Sequence, residues 1–226
     1  MTASLPLLRA GLRPVALLLA GGLSLAACTS PDPVAYAGLD SAPRLQPNRG
    51  EDAAHVPFRY SGSVSWRNYA QVILEPVQIY RGADAQFGDI SEADRQALAA
   101  EMQRRFAARL GERFTLAQFP APGTLRIRLT LTGAATNTPV LGTLSRFDLA
   151  GGLYNGVQAV RGREGVLTGS VSYAVEIHDA SSNQLLEAFV AKQYPNPYNL
   201  GASMGALAAA RTGIDKGAEA LLEHLR

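Results

Sequence analysis

Hydrolysis by a nucleophilic triad would need a serine, a histidine and an acid brought together. The 226-residue chain offers only three histidines, His55, His178 and His224. His55 stands in a proline-rich stretch and His224 two residues from the end, positions that predict solvent exposure. His178 precedes Asp179, but neighbours on a strand point to opposite faces and do not pair directly. No Gly-x-Ser-x-Gly elbow is present. Metal chemistry would need paired histidines at helical spacing or several cysteines, and neither occurs. Glu176 and His178 share one face of a strand, which reads either as a weak metal site or as a solvated sheet face. Gly151-Gly152 and Gly162 with Gly165 lack the lysine and the strand-loop-helix spacing of a phosphate cradle. These residues assign no catalytic group, no metal and no cofactor, so the expectation is a protein that is not an enzyme.

The lone cysteine carries a sharper signal. Residues 1–27 hold Arg9 and Arg13 and no acid, followed by an apolar run from Val15 to Ala27. Thirteen apolar residues fall short of the roughly 20 that span a bilayer. A positive flank, a short apolar core and small residues at its end read as an export signal. That end is Leu25-Ala26-Ala27-Cys28, which resembles the bacterial lipoprotein box. The resemblance implies cleavage before Cys28, a diacylglyceryl group on its sulfur and a fatty acyl group such as palmitate on its amine. The alternative is an ordinary secretory signal with a chance cysteine. Thr29 stands where an aspartate would favour inner-membrane retention, so the outer membrane of a Gram-negative envelope is expected, with the body facing the periplasm. One cysteine also excludes a disulfide-stapled scaffold.

A basic cluster comes next. Over residues 95–128, Arg95, Arg104, Arg105, Arg109, Arg113, Arg126 and Arg128 stand against Glu101 and Glu112, a local charge of +5. Arg104, Arg105, Arg109, Arg126 and Arg128 are therefore a candidate surface for an anionic envelope polymer or lipid headgroups. The plainer reading is a polar helix face plus an ion pair of Arg126 or Arg128 with Glu176 across two strands. Tyr194, Pro195, Pro197 and Tyr198 form an aromatic-proline loop, either exposed as a protein contact or packed as a rigid connection. Nucleic acid is not an expected partner of an exported chain.

The elements that would position these residues follow from periodicity. Thr29 to Val56 carries Pro31, Pro33, Pro43 and Pro47 and reads as a tether, of which Tyr36 to Leu45 could dock on the body. The body is expected from Pro57. Gln71–Arg81 reads as a strand with an edge or bulge at Pro76. Ser91 caps a helix whose Leu98, Met102, Phe106 and Leu110 make one stripe ending at Gly111. Phe114–Gln118 is a short strand, and Thr124–Thr132 and Gly169–His178 alternate as longer ones. Asp179–Asn183 is a turn leading into a hairpin partner at Gln184–Lys192. Residues 139–163 are ambiguous, since apolar residues at helical spacing compete with four glycines. A last helix runs from about Ser203 to Leu225, with Gly213 and Gly217 in its apolar stripe allowing close approach to a sheet. This order predicts an α+β two-layer sandwich, mostly antiparallel sheet against two or three helices. The domains are a signal at 1–27, a lipidated cysteine and tether at 28–56, and one α+β domain at 57–226.

The segments YAGLDSAPRLQPN, NYAQVILEPVQIY, SEADRQALAAEMQRRFAARLGERFTLAQFPAPGTLRIRLTLTGAATNTPVL and GSVSYAVEIHDASSNQLLEAFVAK resemble an uncharacterised family of bacterial lipoproteins, domain of unknown function thirty-three thirteen. The resemblance spans Tyr36 to the last helix and implies an envelope lipoprotein, with no catalytic residues to transfer. The family usually has a Thr-Gly pair in the hairpin turn where this chain has Ser181-Ser182-Asn183. The expected role is a non-catalytic binding or accessory module for an envelope partner. The alternatives are an oligomeric component of a secretion or transport assembly, or an envelope hydrolase.

The whole-chain charge of +2 changes meaning once residues 1–27 are set aside. Cleavage would remove two arginines and no acid, leaving the mature side chains neutral overall. What remains is a neutral domain with a locally basic strip.

Overall fold

The computed structural model describes residues 31–136, 169–196 and 205–226. The ambiguous stretch 139–163 and most of the aromatic-proline loop therefore lie outside the described residues, as do Leu25, Ala26, Ala27 and Cys28.

Among the described residues, eight strands form one mixed sheet: β1 (Gln46–Pro47), β2 (Phe58–Ser61), β3 (Gln71–Leu74), β4 (Gln78–Ile79), β5 (Thr115–Leu116), β6 (Thr124–Ala135), β7 (Ser170–Asp179) and β8 (Leu185–Gln193). Their order across the sheet is β1-β2-β8-β7-β6-β3-β5, with β4 also beside β6. The β1-β2-β8-β7-β6 side is antiparallel, whereas β3 and β4 run parallel to β6, and β3 parallel to β5. The parallel part exists because a helix, α1 (Glu92–Leu110), crosses back between β4 and β5. A second helix, α2 (Ala208–His224), follows β8. Both helices cover one face, which makes the molecule an α+β sandwich.

Local chemistry explains each element. The Ser91 Oγ accepts from the Asp94 N–H at 3.1 Å and closes the first turn of α1. The predicted stripe Leu98, Met102, Phe106 and Leu110 is fully buried against Leu125, Ile127, Leu129 and Leu131 of β6. Each such side chain contributes on the order of 1.5–3 kcal/mol of burial. The Gln71–Arg81 stretch becomes two short strands rather than one, since Pro76 has no N–H to donate to the ladder. At the hairpin turn, Asp179 Oδ1 accepts from the N–H groups of Ser181 and Ser182, and Asn183 adopts φ +58°. Gly213 and Gly217 bring α2 onto β7, as their place in the stripe predicts. A Cβ at Gly213 would stand 2.8 Å from Val171 Cγ1 and 2.9 Å from the Gln193 carbonyl oxygen.

The other face of the sheet is covered by the N-terminal stretch. Tyr36, Leu39 and Leu45 are buried against Tyr80, Ala174, Ala188 and Val190. The docking expected for Tyr36 to Leu45 is therefore present. It extends further than a tether ending at Val56 implies, because Pro33 is already buried and Gln46–Pro47 pairs with β2. The prolines exclude long regular elements but not packing: Pro43 sits in a short 3-10 turn, Ala42–Arg44, and Pro47 in an edge strand. The folded body begins near Asp32, not Pro57. Among the described residues, no helix is long and apolar enough to cross a membrane.

Candidate functional site

The five candidate arginines do not share a surface. Arg104, Arg105 and Arg109 lie on the outer side of α1, where Glu101 pairs with Arg104 and Arg105, Asp215 with Arg105, and Glu112 with Arg109. Arg126 and Arg128 project from the opposite face of the sheet, since their neighbours Leu125, Ile127 and Leu129 face the helices. Proximity in sequence therefore overstated the strip. The helix and the outward side of the strand are separated by the core.

Arg128 instead anchors a partly buried polar cluster beside the N-terminal stretch. It stands directly across from Glu176 on β7, as the cross-strand reading expected, at 3.5 Å. Its Nε donates to Glu75 at 3.1 Å and its Nη1 to Asp40 at 2.7 Å. Glu176, 2% exposed, accepts the backbone N–H of Ser41 at 2.8 Å. Burial works against the Arg128 charge, but the bonds to Glu75 and Asp40 and the field of Glu176 outweigh it and raise its pKa. The neighbouring His178 is half-buried, and burial pushes its imidazole down, favouring the neutral form. No group of three metal-ligating side chains occurs among the described residues, so Glu176 and His178 are not part of a wider ligand set there.

A second polar centre lies on the helix side. Glu187 on β8 has a side chain only 5% exposed, and the His224 Nε2–H donates to its Oε2 at 2.7 Å. Arg59 of β2 approaches its other oxygen at 3.6 Å and donates to Asp52 at 2.7 Å. Burial pushes the Asp52 carboxyl up, but the Asn48 amide and Arg59 together outweigh it and hold it below its usual value. His224 is exposed, as its place near the chain end predicts, but it is not free: its ring also packs edge-on against Trp66 and Phe189. His55 is likewise engaged, stacked on Tyr194 at 4.6 Å and bonded through Nδ1 to the Lys192 carbonyl. Tyr194 is buried, which settles that residue of the aromatic-proline loop as packed.

These groups border a groove of about 410 Å³ between α2 and the β2-β8 edge. Val56, Tyr173, Phe189, Ala191 and Leu221 form its apolar floor, and His55, Arg59, Lys216, Glu219, Glu223 and His224 its rim. An apolar floor with a few polar groups is the composition of a small-ligand or side-chain pocket. Ser61 Oγ donates to Glu187 at 3.4 Å. Periodicity alone does not reveal this cluster, because Arg59, Glu187 and His224 are far apart in sequence. The one signal was a glutamate inside the apolar run LLEAFVAK.

A family model described as protein of unknown function, DUF3313, matches residues 35–221. No curated relative matches the chain. Among solved structures, a variant PelC dodecamer from Paraburkholderia phytofirmans is 11% identical, with a TM-score of 0.36 over 70% of this chain and 89% of that one. A second PelC dodecamer structure from the same organism is 11% identical, with a TM-score of 0.34 over 70% and 92%.

Proposed function

Since the chain belongs to the DUF3313 family, proteins of unknown function, we propose a role from its own residues: a lipid-anchored envelope module that binds rather than catalyses. The observation that carries this reading is the distance along the chain between Cys28 and the first docked residue. Asp32 accepts from Gln86 Nε2 through its carbonyl at 2.9 Å and from Lys192 Nζ through its carboxylate at 3.3 Å. Four residues of chain reach at most about 14 Å. A diacylated, N-acylated Cys28 would hold the folded body against a bilayer, and two or more chains make such anchoring stable. Thr29 directs the lipidated form to the outer membrane, with the body in the periplasm.

Near the membrane the domain would meet its partner at high effective concentration, so weak contacts suffice. The groove beside α2 is the contact with the right composition, and its Glu187–His224 pair serves as structure. The partner is an envelope protein or polymer.

Membrane flotation and acyl labelling of the wild-type chain and Cys28→Ser test the anchor. The wild type is expected to float and incorporate palmitate, and the variant to do neither; an unchanged variant refutes the anchor. In-cell crosslinking of the full chain tests the binding role. Neighbours recovered with wild type and lost on substitution of Glu219 and Glu223 support it. A chain that crosslinks to nothing contradicts it.

A further inference from the structure

The fold has two poles, and the residues that leave the described body leave from one of them. β8 ends at Gln193, β6 at Ala135, and β7 starts at Ser170, all at the same end of the antiparallel ladder. Asp94 at the start of α1 and Leu207, Ala208 and Arg211 at the start of α2 border one cavity together with Thr136. Asp32 joins this end through Lys192, the penultimate residue of β8, and through Gln86, which bridges Gly133 near the end of β6. Tyr36 donates to the same Gln86. From there the N-terminal stretch runs along the sheet, to Ser41 beside Glu176.

The opposite pole holds the Asp179–Asn183 turn, the connection around Gly123 and the end of α2. Ala180 donates to the Thr124 carbonyl there, and Ala70 to that of Gly123. Nine residues of β8 at about 3.3 Å each separate the poles by about 30 Å.

Resting on the lipid attachment proposed for Cys28, we infer that the pole bearing Asp32, Thr136 and the starts of both helices faces a lipid surface, and that the hairpin turn points away from it. A link of at most about 14 Å is shorter than the molecule is long. The body therefore cannot swing its far pole to the bilayer without releasing Asp32 and the buried Pro33. The short link acts as an orienting device as well as an anchor. It leaves the exposed Leu116 and Phe119, which flank the far connection, directed into the aqueous compartment.

The test uses the full chain, exported and lipidated, in phosphatidylethanolamine–phosphatidylglycerol vesicles that contain a headgroup-nitroxide lipid. Cys28 is the only native cysteine and its sulfur would be acylated, so a fluorophore on Thr136→Cys, Arg211→Cys or Ser181→Cys reports one position. Vesicle flotation comes first, and failure to float refutes the lipid attachment itself. In floating protein, quenching is expected to be several-fold stronger at 136 and 211 than at 181. Equal quenching, or stronger quenching at 181, overturns the orientation. An insert of about 20 Gly/Ser residues after Ser30, with a mean span of about 25 Å, is expected to level the difference. A difference that survives the insert overturns the short link as its cause.

Discussion

The backbone N–H of Ser41 donates to Glu176 Oε1 at 2.8 Å, although 135 positions separate the two residues. Both are almost fully buried, Ser41 at 1% and Glu176 at 2%. This bond fastens the N-terminal stretch to the centre of the sheet. Replacing Glu176 by Ala leaves a buried donor without its acceptor, which costs about 1–3 kcal/mol. Glu176→Gln keeps an acceptor and should cost less. Urea denaturation measures both, and limited proteolysis should show residues 32–45 cut faster in the alanine variant. Equal stability of the two variants would contradict the bond's role.

The separation of the five arginines predicts two different outcomes. Charge reversal at Arg104, Arg105 and Arg109 disturbs exposed arginines paired with Glu101 and Glu112 beside them and with Asp215 on α2, and should cost little because water screens such pairs. Arg128→Ala removes the cation shared by Glu75, Asp40 and the buried Glu176, and should cost about 2–3 kcal/mol. Denaturation midpoints compare them. A larger loss from the triple reversal than from Arg128→Ala would mean that the α1 arginines are the more important set.

Helix propensity favours alanine over glycine by about 1 kcal/mol, yet Gly213→Ala should destabilise. Its Cβ would meet Val171 Cγ1 and the Gln193 carbonyl, and overpacking of this kind costs about 1–3 kcal/mol. Gly217→Ala meets the Tyr173 hydroxyl and should act in the same direction. Thermal melting decides the sign, and a gain in stability would rule out the close contact of α2 with β7.

Stability should fall at alkaline pH. Burial pushes the Tyr36 phenol up to about 12 from the ordinary 10, and burial raises Tyr173 as well. A raised folded-state value favours the protonated form. Its stabilisation is fully present below pH 10 and is lost as pH rises towards 12, by about 2–3 kcal/mol for Tyr36. Urea denaturation on either side of that window, with phenolate absorbance followed in parallel, checks this. Tyr36→Phe should flatten part of the fall, and an unchanged pH profile in that variant would argue against Tyr36 as its source.

Elements with a strong period were legible without a structure. The Leu98-Met102-Phe106-Leu110 stripe, the alternation of β6 and β7 and the turn at Asp179–Asn183 depend on neighbours within a few residues. Of the two arginines expected to oppose Glu176, Arg126 and Arg128, the register of β6 on β7 selects Arg128. The Leu25-Ala26-Ala27-Cys28 signal is also read from adjacent residues, and it lies outside the described residues.

Proline content misled at the N-terminus, because it excludes regular hydrogen bonding but does not prevent Tyr36, Leu39 and Leu45 from burying apolar surface. Histidine positions told only part of the story: His224 is exposed as expected and His55 half-buried, yet the sheet brings Glu187 and Lys192 to them. The sequence by itself determined the helix faces and the strand faces. Only the tertiary structure decided that residues 32–56 belong to the body, that the arginines divide between two layers, and that Arg59, Glu187 and His224 meet beside a groove. Local periodicity specifies which side of an element is apolar. Which distant side chain arrives there depends on strand order and helix placement, and those follow from burying all the apolar faces at once.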